Sequence, residues 1–171
     1  DKEIRRPLEV SIKKQKIKTH LGVFAKGAEA TKDGRIQLNF IDKNEKDEKK
    51  MQNIVVDKVL VTVGRKPNSA SLAPTGVALD ERGFVKVNER CETNMKGVYA
   101  IGDVCDSGEM LAHVASFQGE MVAEIIAGKK RAYDPVAVPA IVFTEPEIVS
   151  VGLSPEEAEA AGHPVIVGKF P

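Results

Sequence analysis

Apolar side chains recur at every fourth position near the start of the chain, which is the spacing of one face of an amphipathic helix. These positions are Ile4, Leu8 and Ile12, and Pro7 lies near enough to the start to be tolerated. The pattern therefore predicts a helix over residues 1–15. Because this helix has no strand before it to pack on, we expect the chain to be a piece of a longer protein.

Three runs of strand-forming residues follow, and polar segments separate them. The runs cover residues 16–31, 35–42 and 53–64, and the separators are the Lys-Asp-Gly turn at 32–34 and the charged stretch from Lys43 to Lys50. Short turns between successive strands favour antiparallel pairing. The pattern therefore predicts an antiparallel meander of three strands.

The segment GVYAIGD at residues 97–103 predicts a short buried strand over Val98 to Ile101 that ends on a carboxylate. Asp103 at the strand end suits a ligand hydroxyl, and Gly102 would let a ligand pass close to the main chain. The predicted helix that begins at Met110 offers unpaired N–H groups to an anionic or carbonyl group. The same residues also fit a plain turn that Asp103 caps, with His113 on the surface, and the local pattern leaves both interpretations open.

The remaining pattern predicts further short elements. Two short strands are expected between residues 76 and 97, and VIVGKF at 165–170 is typical of a strand. Ser154 and Glu157 form a capping box for a helix that ends at Ala161. The helix that begins at Met110 is predicted to run to Gly128 on one apolar stripe, which consists of Leu111, Val114, Ala115, Gln118, Val122, Ile125 and Ile126.

Charge and cysteine content narrow the classes of partner. The 25 basic and 25 acidic side chains cancel, which removes the electrostatic case for nucleic acid or an anionic membrane. Cys91 and Cys105 match no metal or redox motif, and we expect both to be small buried hydrophobes. Without a long apolar run or a signal-peptide pattern, the expected location is cytoplasmic, with the mitochondrial matrix left open.

The third predicted strand ends in the sequence Gly64-Arg65-Lys66-Pro67-Asn68. A glycine there allows close approach of a ligand to the backbone, and the arginine can bind an anion through two hydrogen bonds. The same five residues also fit an ordinary turn with a solvated arginine.

Three motifs in order resemble the pyridine-nucleotide disulfide oxidoreductase family. They are VLVTVGRKPN at 59–68, Thr93 followed by NMKGVYAIGD at 94–103, and MLAHVASFQGE at 110–120. The third motif resembles the form found in dihydrolipoamide dehydrogenases. VPAIVFTEPEIVSVGLSPEEAEAAG at 138–162 is similar to the start of the family's dimerisation domain.

This resemblance implies an α/β fold assembled from three pieces. Residues 1–66 would be the C-terminal part of an NAD-binding domain that contains the antiparallel meander, 67–135 a central FAD-contacting β/α region, and 136–171 the start of an α+β dimerisation domain. Asp103 would then receive a ribityl hydroxyl of FAD. Met110, Leu111, Ala112 and His113 would lie along the flavin, and Gly64 would lie beside NAD.

The resemblance also implies an activity for a longer, homodimeric parent protein. That protein would oxidise dihydrolipoamide on the lipoyl domains of an acyltransferase or a glycine-cleavage carrier protein, and it would reduce NAD. The chain contains no C-x-x-x-x-C, no G-x-G-x-x-G and no His-x-x-x-x-Glu sequence near its C-terminus, so we expect it to be inactive alone and to lack bound FAD. Two alternatives remain: another flavin disulfide reductase, such as one similar to mercuric reductase, and a non-catalytic module that binds a nucleotide or a partner.

Overall fold

The computed structural model describes residues 2–106 and 110–170. The described chain forms two compact units. The first unit is Lys2–Gly64, and the second begins at Arg65 and contains the rest of the described chain. No helix in these described ranges is both long enough and apolar enough to cross a membrane.

The first unit contains the predicted helix and the predicted meander. Helix α1 covers Lys2–Lys14, and the strands are β1 (Val23–Ala30), β2 (Ile36–Asp42) and β3 (Gln52–Val56). The strands pair antiparallel in the order β1-β2-β3, which confirms the meander. A short 3-10 helix, Glu48–Lys50, lies within the charged segment before β3.

Two strands of the meander are shorter than the sequence pattern predicts. Strand β1 begins at Val23 rather than residue 16, and β3 ends at Val56 rather than residue 64. Leu60, Val61 and Val63 are exposed, although an uninterrupted apolar run is typical of a strand buried on both faces. A strand needs neighbours to satisfy its N–H and C=O groups, and residues 57–64 pair with no strand of the described chain.

The second unit is built around helix α2 (Ala112–Ile126). It also contains the 3-10 helices Ala70–Thr75 and Gly102–Val104, an antiparallel pair of strands, β4 (Pro139–Val142) and β5 (Ile148–Val151), and helix α3 (Pro155–Ala160). The capping box of α3 forms as predicted, because Ser154 Oγ accepts from the Glu157 N–H and the Glu157 carboxylate accepts from the Ser154 N–H. Helix α3 ends one residue before the predicted Ala161.

The main apolar cluster of this unit lies against α2. Met121, Val122 and Ile125 pack around Cys91, and two tyrosines, Tyr99 and Tyr133, flank the cluster. Cys91 and Cys105 are both buried free thiols, as the sequence predicts. Burial, with a smaller contribution from Cys105, raises the pKa of the Cys91 thiol to about 11. The thiol is therefore protonated and unreactive at neutral pH.

Several predicted strands of this unit do not form. In the described chain, Val98 to Ile101 forms no ladder, and its sheet pairing is limited to an isolated bridge between Tyr99 and Glu92. The expected pair between residues 76 and 97 is reduced to single bridges at Leu79 and Val85. Residues 165–170 form no strand, and Ile166 and Phe170 are exposed. These strand predictions are wrong for the described chain, because a ladder requires a partner strand as well as strand-forming residues.

Candidate functional site

The site is centred on the turn that carries Asp103. Ile101 is extended, and the chain then turns through Gly102–Val104, with Gly102 at φ +68°. The Gly102 N–H donates to Oε1 of Gln118 at 2.7 Å, and the Gly102 carbonyl accepts from the Cys105 N–H at 3.1 Å. The turn is therefore hydrogen-bonded both within itself and to α2.

Gly102 has a packing role that the sequence analysis did not predict. A Cβ at this position would lie 2.9 Å from the Cβ of Ala115 on α2, a distance that real side chains do not adopt. The expectation that a ligand passes close to the main chain at Gly102 stays a prediction. Glycine is needed both for the positive φ and for the close packing of the turn on α2.

The Asp103 side chain is held by Arg65. Its Oδ2 lies 3.1 Å from Nη1 of Arg65, and the same nitrogen donates to the Met110 carbonyl at 3.3 Å. The two side chains are 46% and 67% exposed, so the ion pair contributes little to stability. Arg65, at the start of this unit, thus contacts both the Asp103 turn and Met110, which lies two residues before α2.

Helix α2 begins two residues later than predicted. Leu111 is extended (φ −125°, ψ 134°) and is the N-cap, so Met110 and Leu111 precede the helix while Ala112 and His113 begin it. Leucine has no side-chain oxygen with which to accept from the first-turn N–H groups. In the part of the chain that the structure describes, the N-cap side chain thus leaves the positive end of α2 uncapped, which would suit an anionic or carbonyl-bearing group.

Asp103 and Met110 line one cleft of about 290 Å³. The other lining residues are Arg65, Lys66, Pro67, Asn68 and Val104. The cleft combines two cationic side chains with a carboxylate, a combination that suits a ligand with both negative charge and hydroxyl groups. His113 instead lines an apolar cavity of about 310 Å³ beside Phe117 and Tyr133.

The predicted position of Gly64 beside NAD stays a prediction. Gly64 ends the first unit, at φ +135°, and a Cβ there would meet nothing within 4 Å. Its positive φ explains a glycine at this position without a ligand.

The sequence analysis did not predict the contacts that hold the turn, although it considered Arg65 as an anion-binding residue. Gln118, Ala115 and the pairing of Arg65 with Asp103 are all contacts between distant parts of the chain. One signal was available for Gln118, because a polar residue on an otherwise apolar helical stripe must find a buried partner.

Comparison with known protein families agrees with this arrangement. Residues 1–119 match the family model described as pyridine nucleotide-disulphide oxidoreductase, and residues 138–171 match the model of that family's dimerisation domain. The chain belongs to the pyridine nucleotide-disulphide oxidoreductase family. Members of this family use a flavin and a pyridine nucleotide.

Curated relatives within this family are named dihydrolipoyl dehydrogenase. The protein from Pseudomonas aeruginosa is 53% identical over 122 residues, which cover 70% of this chain and 26% of that protein. The protein from Thermus scotoductus is 44% identical over 174 residues, with 100% of this chain and 36% of the relative covered. The Bacillus subtilis protein is 39% identical over 161 residues, covering 93% and 33%.

A solved structure of the family has the same fold. The HOCl-induced flavoprotein disulfide reductase RclA from Escherichia coli matches with a TM-score of 0.77 at 26% identity, covering 95% of this chain and 36% of that one. The chain spans between about a quarter and about a third of the length of these relatives.

Proposed function

We propose that this chain is one segment of a flavoprotein that oxidises protein-bound dihydrolipoamide and reduces NAD. The observation that carries the proposal is the position of Asp103 in one cleft with Met110, the residue that leads into the uncapped N-terminus of α2. The curated relatives, at 39–53% identity, favour this activity over that of other flavin disulfide reductases.

The described residues fit the flavin end of FAD. Asp103 would accept a hydrogen bond from a ribityl hydroxyl, and Arg65 would hold its carboxylate in place through Oδ2. Met110, Leu111, Ala112 and His113 would lie along the ring, with first-turn N–H groups of α2 facing a ring carbonyl. When bound, the flavin supplies the transfer of electrons between the thiols and the nicotinamide.

The N-terminus of α2 would also tune the bound ring. A helix N-terminus favours added negative charge by up to about 2 kcal/mol in a partly buried geometry. For a two-electron couple about 1.4 kcal/mol corresponds to 30 mV, so the shift would be about 40 mV towards a more positive potential. This contribution is a fine adjustment of the potential.

The other parts of the proposal rest on family membership. Gly64 would lie beside NAD. The domain limits 1–66, 67–135 and 136–171 stay predictions. The boundary between the two compact units, which falls after Gly64, supports the first of these limits. The match to the dimerisation model over residues 138–171 supports a homodimer. Lipoyl domains as partners and a cytoplasmic location follow from the proposed activity.

Substitution of Asp103 tests the proposed cofactor site. In the full-length protein that carries this chain, Asp103→Ala is expected to weaken FAD binding at least tenfold, measured from the flavin absorbance retained after gel filtration. Glu120→Ala is the matched control, because Glu120 is a carboxylate on α2 away from the cleft. Equal FAD retention by the two variants would show that Asp103 does not contribute to FAD binding.

The activity needs a separate assay. The full-length protein is expected to reduce NAD when dihydrolipoamide is supplied, and the isolated 171-residue chain is expected to be colourless and inactive. A flavin-containing protein that does not oxidise dihydrolipoamide but reduces another disulfide substrate would favour the alternative function, that of another flavin disulfide reductase. A full-length protein that never binds flavin would favour a non-catalytic nucleotide- or partner-binding module.

A further inference from the structure

Gln118 is the most deeply buried polar side chain among the described residues. It is 1% exposed and lies on the face of α2 that also buries Val114, Met121 and Val122. Burial of a primary amide is unfavourable unless its polar atoms are hydrogen-bonded. An apolar residue would therefore serve better at this position if packing were its only role.

The Gln118 oxygen contacts both ends of the turn that carries Asp103. Oε1 accepts from the Gly102 N–H at 2.7 Å, and it lies 3.9 Å from Sγ of the buried Cys105. Gly102 and Cys105 flank Asp103 and Val104. One side-chain oxygen thus holds the residues on either side of the Asp103 turn.

Ala115 supplies a second fixed point, one helical turn before Gln118. Its Cβ packs on Gly102 so closely that a Cβ added at Gly102 would lie 2.9 Å away. The Asp103 turn therefore packs on α2 at two positions of the same helix, Ala115 and Gln118.

We propose that Gln118 is a positioning residue that fixes the Asp103 carboxylate relative to the N-terminus of α2, at the separation required by a flavin and its ribityl chain. Gln118 acts through Gly102 and does not itself contact the cofactor. This inference rests on the proposed function for the identity of the ligand, but the hydrogen bond that carries it is independent of any ligand.

Three variants of the full-length protein test the proposal. Gln118→Leu keeps the approximate size of the side chain and removes the acceptor, so the FAD dissociation constant is expected to rise about tenfold. Gln118→Glu retains an oxygen acceptor in either protonation state and is expected to stay within about threefold of the wild type. Val122→Ala is the matched control, because it destabilises the buried face of the same helix but makes no hydrogen bond to the turn.

A comparison at equal loss of stability separates positioning from simple structural support. If Gln118→Leu and Val122→Ala weaken FAD binding to the same extent at matched losses in Tm, Gln118 is only structural and the proposal is overturned. The expected result is a weaker FAD complex for Gln118→Leu alone, with recovery in Gln118→Glu.

Amide hydrogen exchange provides a readout that needs no flavin. Exchange at the Gly102 N–H is expected to be at least tenfold faster in Gln118→Leu than in Val122→Ala, since only the former removes its acceptor. Unchanged protection would overturn the positioning role even in a protein that binds FAD. Conversely, a full-length protein that binds no FAD would contradict the proposed function, while the exchange rate would still decide whether Gln118 holds the turn.

Discussion

The close contact between Gly102 and α2 predicts a large effect for Gly102→Ala. At φ +68°, alanine pays about 1–2 kcal/mol for the left-handed conformation. The added methyl group would also lie 2.9 Å from the Cβ of Ala115, and such overpacking costs about 1–3 kcal/mol. The free energy of unfolding should therefore fall by about 2–5 kcal/mol, which corresponds to a decrease in Tm of roughly 4–20 °C for a protein of this size.

Two further variants separate the backbone contribution from the contact. Gly97 has φ +80°, and a Cβ there would meet no atom within 4 Å, so Gly97→Ala should show the conformational cost alone. The double variant Gly102→Ala/Ala115→Gly removes the Cβ that the new methyl group would meet, so the overpacking part of the loss in unfolding free energy should disappear. The comparison must allow for about 1 kcal/mol of helix propensity that Ala115→Gly itself loses.

Urea unfolding followed by circular dichroism provides the free energies. The reasoning would be refuted if Gly102→Ala cost no more than Gly97→Ala. A double variant with strictly additive effects would equally show that the two positions do not touch. Either outcome would also weaken the case that the Asp103 turn packs closely on α2.

Two other predictions concern charge. Arg65→Ala should lower the free energy of unfolding by less than about 1 kcal/mol, because both partners of its ion pair are exposed, and a loss above about 2 kcal/mol in urea unfolding would contradict this. The pKa of the Cys91 thiol is about 11 in the folded protein and near 9 in the unfolded chain. The unfolded chain therefore loses its thiol proton first as the pH rises, so the free energy of unfolding should fall between pH 9 and pH 11 and be unaffected by this thiol below pH 9. Unfolding measured across that range should show a steeper loss for the wild type than for Cys91→Ala, and parallel curves would show that the thiol does not titrate in this way.

Sequence reasoning succeeded where an element is defined by its own residues. The turn between β1 and β2 and the capping box of α3 formed as predicted, because each depends on neighbours within a few positions. The apolar stripe of α2 identified most of its buried face, because helical periodicity comes from the local sequence. The stripe was wrong at Ile126, which is exposed, and it omitted Met121, which is buried. The motif around Asp103 likewise indicated the correct family before any tertiary contact was known.

Pairing and packing between distant residues required the tertiary structure. The apolar runs at 57–64 and 165–170 have strand-forming sequence, yet they form no ladder in the described chain because a strand depends on a second strand that its own sequence does not specify. In the site, Arg65 meets Asp103 across 38 positions, and Gln118 meets Gly102 across 16. The sequence alone therefore determined the local elements and the chemistry available at Asp103. Only the tertiary structure decided what holds that carboxylate in place, because hydrogen bonds and close packing between separate elements depend on where the folded chain brings them together.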